Sequence, residues 1–309
     1  MVLLFLSAAD DATQWRAELA KHIPDLELRI WPDLGDPTEI EAALVWRPPA
    51  GLFERLPNLK LIASLGAGVD HVLTDPALPP SIPVVRLVDP YMTAAMSEYV
   101  QLQVLRLHRG EPFYLAQQHA RVWRPRLQPN AAERRVGVLG LGVLGGDAAL
   151  KLKVLGFDVA GWSRTEKKLA GIPTFHGAEG LVPLLARSEI LVCLLPLTPA
   201  TEGILDARLF AALPRGAMII NCARGRHLVE ADLVAALDSG QISAAVLDVF
   251  RDEPLAQDHS FWRHERIFVT PHVAAATHAP TAALAVAENL RRLREGRPLL
   301  NRVGASEGY

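Results

Sequence analysis

The run Val136-Gly137-Val138-Leu139-Gly140-Leu141-Gly142-Val143-Leu144-Gly145 constrains the fold of this chain more than any other segment. Four residues of apolar, strand-like character lead into three glycines spaced G-x-G-x-x-G. An apolar helical pattern over 147–155 follows. A strand that turns straight into a helix must return to a neighbouring parallel strand, so this segment demands β-α-β construction.

The rest of the chain agrees. Short apolar runs at 2–6, 26–30, 43–45, 61–64 and 84–85 read as a first series of strands, punctuated by Pro48-Pro49 and Pro79-Pro80. A long apolar helix is expected over 98–108, ended by Pro112, with 115–135 as a polar connecting arm carrying Trp123-Arg124-Pro125. A second series of strands is expected at 136–139, 159–162, 190–194, 217–221, 244–247 and 267–269, with helices between them, notably 147–155 and 230–239. A last helix spans about 280–295, with proline in its first turn and Gly296 after its end. The fold class is α/β, with two Rossmann-like or flavodoxin-like domains built on parallel sheets.

Composition narrows what such a fold can do. The chain has 309 residues, half of them apolar, enough for two domains with sizeable cores. Its 32 basic and 34 acidic residues leave a formal charge of −2, and no basic run stands out, which argues against nucleic-acid or membrane-surface partners. Cys193 and Cys222 stand in no metal or redox spacing, and a disulfide framework is excluded by their number, so no metal is expected and a reducing cytoplasm fits. The apolar start, residues 1–6, lacks a basic region, is short and is followed by Asp10-Asp11; a buried first strand is the better reading than a signal peptide. No apolar stretch approaches the roughly 20 residues needed to span a bilayer.

The glycine turn has a specific chemistry. Gly140 permits the tight turn, Gly142 lets backbone approach a pyrophosphate, and Gly145 lets helix and strand pack closely, while the helix N-terminus faces the phosphates. The next strand ends in Ser163-Arg164-Thr165, followed by Lys167-Lys168, where a site for NAD would usually place Asp or Glu on the ribose. Ser and Arg can donate to a 2′-phosphate, Arg in two places. NADP(H) is therefore the preferred cofactor, with NAD(H) possible.

Three residues carry the expected reaction. Arg224 lies in Asn221-Cys222-Ala223-Arg224-Gly225, Glu253 in Asp248-Val249-Phe250-Arg251-Asp252-Glu253-Pro254-Leu255, and His272 in Thr270-Pro271-His272-Val273-Ala274. A cation can hold a 2-keto acid, and an imidazole can protonate its carbonyl near neutral pH. His272 follows a strand, at the edge where open α/β sheets bind ligands. Glu253 is placed to orient it. Each residue alone has an ordinary reading as a loop or surface charge.

These motifs in order resemble the D-2-hydroxyacid dehydrogenase family. The likeness rests on Gly140–Gly145, Leu194-Leu195-Pro196-Leu197-Thr198, Asn221–Gly225, Asp248–Leu255, Thr270–Val273 and Ser64-Leu65-Gly66-Ala67-Gly68-Val69-Asp70-His71. Within the family, Ala43-Leu44-Val45-Trp46, Gly161-Trp162-Ser163-Arg164 and the Gly308-Tyr309 ending are most similar to the glyoxylate/hydroxypyruvate reductase A type. The resemblance implies that Arg224 anchors the substrate, His272 donates the proton and Glu253 is its partner. It further implies a substrate loop of Leu65, Gly66, Ala67 and Gly68, running to Val69 and presenting backbone N–H groups, with Trp46 beside the substrate. The cofactor would contact Gly140, Gly142, Val143, Leu144, Gly145, Ser163, Arg164, Thr165, Lys168, Leu195, Pro196, Cys222, Ala223 and Asp248. The substrate domain would comprise 1–98 plus 279–309, with the cofactor domain, 99–278, inserted in it and a substrate cleft where they meet. A homodimer through the cofactor domain is implied, with the 115–135 arm reaching a neighbouring subunit.

Two alternatives remain open. One is a dehydrogenase of the same family acting on larger, phenylpyruvate-like keto acids; Trp46, Trp123 and Arg86 could equally line a pocket or pack. The other is a nucleotide-sensing corepressor, which would keep the same three residues without turnover. The lack of an acidic residue at Ser163 speaks against a phosphoglycerate-dehydrogenase-like enzyme, and the Glu253/His272 pair speaks against a formate-dehydrogenase-like one.

Overall fold

A computed structural model of the chain describes residues 1–304; the Gly308-Tyr309 ending lies outside the described residues. In chain order the elements are β1 (Val2–Leu6), α1 (Ala12–His22), β2 (Glu27–Ile30), β3 (Ile40–Val45), β4 (Leu61–Ser64), α2 (Asp70–Leu73), β5 (Val84–Val85), α3 (Pro90–His108) and α4 (Glu111–Ala120). There follow β6 (Arg135–Leu139), α5 (Val143–Val154), β7 (Asp158–Ser163), β8 (Thr174–His176), α6 (Gly177–Arg187), β9 (Ile190–Cys193), α7 (Ala207–Ala212) and β10 (Ala217–Asn221). The chain continues through α8 (Glu230–Asp238), β11 (Ile242–Leu247), β12 (Ile267–Val269), α9 (Ala279–Arg294) and β13 (Arg302–Val303).

Two compact units emerge, one of 1–92 with 277 onward and the other of 93–276. Their boundaries fall inside α3 and just before α9, six and two residues earlier than the 98/99 and 278/279 division read from sequence.

The first unit holds a sheet of order β13-β5-β4-β3-β1-β2, parallel throughout except for the antiparallel β13–β5 pair. The parallel part has the flavodoxin-like order 2-1-3-4-5. The inner strands are mostly apolar, and every residue of β1 and β4 is buried, whereas the edge strand β2, Glu-Leu-Arg-Ile, buries only Leu28. Phe5 of β1 meets Trp15 of α1 with ring centroids 6.1 Å apart.

The second unit holds an all-parallel sheet of order β12-β11-β10-β9-β6-β7-β8. Adjacent residues along its strands serve opposite faces. Leu139, Leu191, Cys193 and Ile219 join one core, while Val136, Val138, Ile190, Val192 and Ile220 join the other, with Met96, Val100, Val104 and Leu107 of α3. Strand order reverses between β6 and β9, the switch point beside which open α/β sheets take ligands.

Several elements differ from the sequence reading. The helix expected from 98 begins eight residues earlier: the Asp89 carboxylate accepts from the Tyr91 and Met92 N–H groups, and Pro90 occupies the first position. Pro112 does not terminate α3; it sits in the first turn of α4 after Gly110 (φ +68°). The 115–135 arm is therefore helical as far as Ala120 and irregular beyond it, except for a short 3₁₀ turn at Ala131–Glu133. No helix among the described residues is long and apolar enough to cross a membrane.

Candidate active site

The glycine turn occupies the switch point of the second unit. Gly140 has φ +96°, and a Cβ there would lie 2.6 Å from the Leu194 carbonyl oxygen. At Gly145 a Cβ would fall 1.8 Å from the Gly140 oxygen, so both glycines are demanded by the chain's own packing. Gly142 is different: a Cβ there meets nothing within 4 Å. It is exposed at the N-terminal end of the 12-residue helix α5. Val143 and Leu144 form the first turn of that helix.

β7 ends at Ser163, whose hydroxyl donates to the Thr165 oxygen at 2.7 Å and tightens the turn. Arg164, Thr165, Lys167 and Lys168 are exposed in that turn, with Glu166 the one carboxylate among them. The turn offers the cationic surface expected for a 2′-phosphate, but the Ser163 hydrogen is already committed to backbone.

Beyond β9 come Leu195 and Pro196; beyond β10 come Cys222, Ala223 and Arg224. Asn221 shapes this second turn, its amide donating to the Arg224 oxygen at 3.0 Å and its oxygen accepting from Ala223 N at 3.2 Å. Arg224 Nη1 donates to the Ala223 oxygen at 2.7 Å. Gly225 passes against the 248–253 loop so closely that a Cβ would lie 1.8 Å from the Phe250 carbonyl carbon. His227, fully buried, ties the two turns together and was not singled out from sequence. Its Nε2 lies 3.2 Å from the Pro196 oxygen, while Nδ1 lies 3.2 Å from the Arg224 N–H and 3.1 Å from the Arg224 oxygen. A histidine three residues after an arginine carries no sequence pattern that would have revealed this bridge.

Glu253 and His272 meet directly. Glu253 Oε1 accepts the Phe250 N–H at 3.0 Å, and Oε2 lies 2.9 Å from His272 Nδ1. The carboxylate holds Nδ1 as the donor, which leaves Nε2 as the nitrogen that can pass a proton outward. Glu253 is the more buried partner and His272 is about a third exposed.

Asp248 organises the turn that carries His272. Its Oδ1 accepts from Thr270 Oγ1 at 2.6 Å and Val273 N at 2.9 Å, its Oδ2 from Ala274 N at 3.0 Å, and its backbone oxygen from His272 N at 2.8 Å. Tyr99 of α3 braces Thr270, oxygen to oxygen, at 2.7 Å. Burial pushes the Asp248 carboxyl above its ordinary value of 3.8, opposed by those hydrogen bonds, and burial likewise raises the Tyr99 phenol. Sequence reasoning missed Tyr99, since a tyrosine in an apolar helix reads as packing.

In the first unit, β3 leads into half-buried Trp46, and β4 into the 65–69 loop. The resemblance assigned the whole loop as N–H donors. Two of them are committed inside the fold, Leu65 N to the Val45 oxygen at 3.0 Å and Gly66 N to Ser64 Oγ at 3.0 Å. Among the described residues, the N–H groups of Ala67, Gly68 and Val69 donate to no protein acceptor, so the loop narrows to three donors. Arg86 donates its N–H to the Asn301 oxygen at 3.1 Å, at the β5–β13 edge. Trp123 is 99% exposed on the arm.

Comparison with known proteins agrees with this architecture. Residues 102–274 match the family described as D-isomer specific 2-hydroxyacid dehydrogenase, NAD binding domain. The chain is 41% identical to glyoxylate/hydroxypyruvate reductase A of Yersinia enterocolitica, over the full length of both. A D-isomer specific 2-hydroxyacid dehydrogenase from Xanthobacter autotrophicus, solved with NADPH and MES, is 47% identical over 100% of this chain and 99% of that one, with a TM-score of 0.95. An NADPH-dependent glyoxylate/hydroxypyruvate reductase from Sinorhizobium meliloti, solved with NADP and sulfate, is 41% identical over 100% of both chains, with a TM-score of 0.93. With more than half the chain inside the family's domain and full-length relatives above 40% identity, this protein belongs to the D-isomer specific 2-hydroxyacid dehydrogenases.

Proposed function

We propose that this protein reduces small 2-keto acids, glyoxylate to glycolate and hydroxypyruvate to D-glycerate, with NADPH preferred over NADH. The observation that carries the reading is the 2.9 Å pair of Glu253 and His272, set in the same unit as a glycine turn at the sheet's switch point. The names of the full-length relatives, and the NADPH and NADP in solved ones, support the substrate and cofactor.

The bound cofactor supplies a hydride to the carbonyl carbon. His272 Nε2 supplies the proton to the carbonyl oxygen, giving the 2-hydroxy acid, and Glu253 holds the imidazolium that precedes that transfer. Arg224 binds the substrate carboxylate with a planar fork that a lysine cannot reproduce. In the first unit, the N–H groups of Ala67, Gly68 and Val69, beside Trp46, are the backbone donors proposed for a keto acid. Asp248 holds the His272 turn and would be the carboxylate on the nicotinamide-amide side of a bound cofactor. Arg164 and Lys168 would take the 2′-phosphate, with Ser163 standing where a site for NAD usually places Asp or Glu.

The substrate domain is the flavodoxin-like part and the cofactor domain is the inserted one. Two copies pair through the cofactor domain, with Trp123 and Leu127, both 99% exposed on the arm, covered in the pair. Two buried free thiols fit a cytoplasmic protein. Following NADPH oxidation with glyoxylate, hydroxypyruvate and phenylpyruvate tests the reading. The first two should turn over well and the third poorly, and no turnover with any of them would overturn it.

A further inference from the structure

Ser64 and His71 form a hydrogen-bonded bracket beneath the 65–69 loop. Ser64, at the end of β4, is 1% exposed. Its hydroxyl accepts the Gly66 N–H at 3.0 Å, donates to the Gly68 oxygen at 2.9 Å and lies 3.1 Å from His71 Nε2. A hydroxyl has one hydrogen, and here it is spent on Gly68, so Nε2 must be the donor. Nδ1 is then an acceptor, and the Arg47 N–H reaches it at 3.3 Å. The donors along Arg47, His71, Ser64 and Gly68 point the same way, which places a hydrogen on Nε2.

The same ring carries Trp46. The centroids of His71 and Trp46 are 4.5 Å apart. The indole lies so close over Gly66 that a Cβ there would fall 2.6 Å from its Cζ3. Arg47, next to Trp46, has φ +51°, an uncommon conformation for a side-chain-bearing residue. The indole and the N–H donors of the turn are thus set by one pair of polar side chains.

We propose that Ser64 and His71 are positioning residues for substrate selectivity: His71 holds Trp46 over Gly66, and Ser64 holds the turn, so that the loop takes a compact 2-keto acid and rejects a bulky one. This rests on the reduction proposed above. Neither residue touches the reacting atoms, so their loss should alter binding and selectivity more than turnover.

The test compares Ser64→Ala, His71→Phe and His71→Gln in the full chain. With either of the first two, loss of hydrogen bonds worth roughly 1 kcal/mol each should raise KM for glyoxylate about tenfold, with kcat changed less than about threefold. The ratio of kcat/KM for phenylpyruvate to that for glyoxylate should rise by a similar factor, and the Kd for NADPH should stay at the wild-type value. His71→Gln keeps an N–H donor for Ser64 and should recover part of the loss. Histidine ¹⁵N NMR of the wild type should show His71 neutral with its proton on Nε2.

An unchanged KM and selectivity ratio in folded Ser64→Ala and His71→Phe overturns the proposal, as does a His71 protonated on Nδ1. If His71→Phe does not fold, Ser64→Ala and the wild-type spectrum decide. A wild type that turns over neither acid removes the reduction reading itself, a result distinct from variants that merely match an active wild type.

Discussion

His272 has φ +54°, in the left-handed region that histidine seldom occupies. It is held there by the bond from its own N–H to Asp248 and by the grip of Asp248 on Val273 and Ala274. Strain of this kind persists where surrounding contacts over-determine it. Replacing His272 by Ala should leave the protein folded and lower kcat by about 10²–10⁴, the range for losing a general acid; steady-state NADPH oxidation checks it. At the other end of the cofactor, Arg164→Asp should reverse the preference, raising the NADH-to-NADPH ratio of kcat/KM through repulsion of the 2′-phosphate. Asp248 gives a prediction in pH. A carboxyl whose folded pKa is raised keeps its proton more tightly when folded, so its stabilisation is full below the ordinary value of 3.8 and is lost as pH rises through the folded value. The stability of the wild type relative to Asp248→Asn should therefore fall as pH rises across that window, as measured by urea midpoints.

At the scale of elements, what could be read from sequence followed burial. β1, β4, β10 and β12 have the bounds expected of them because each is a short apolar run with clear ends. α4 escaped because none of its residues is buried, leaving no apolar stripe to read. It is held by polar contacts to the arm instead: Tyr114 accepts from Arg126 N and Gln128, and Gln117 donates to the Arg124 oxygen. β8 escaped because Thr-Phe-His is not an apolar run and none of its residues is buried. The Glu253–His272 pair was legible, since each residue stands in its own motif. The brace behind its turn, Tyr99, and the bridge between the 196 and 224 turns, His227, were not, because Thr270 and Pro196 lie far along the chain from them. Gly225 closes the Asn221–Gly225 motif, and the Phe250 backbone leaves no room for a side chain there. Gly225→Ala should cost about 3 kcal/mol, the upper part of the usual range for overpacking. Urea denaturation reads the stability, and glyoxylate turnover should fall with it because Arg224 is the next residue.

For the whole molecule, the proposed pairing through the arm yields its own expectation. Trp123→Ser together with Leu127→Ser should shift a dimer to monomer in light scattering without lowering thermal stability of the separate chain, since neither side chain is buried in it. A different consequence comes from β13, which pairs with β5 at Arg302↔Val85 and Val303↔Val84. Between those partners the ribosome must make the entire 93–276 unit. At about 5–20 residues per second this takes tens of seconds, during which the free edge of β5 has no strand beside it. The part of the protein that is synthesised first is therefore the last to be finished, and nascent chains are most open to association through that edge until α9 and β13 emerge.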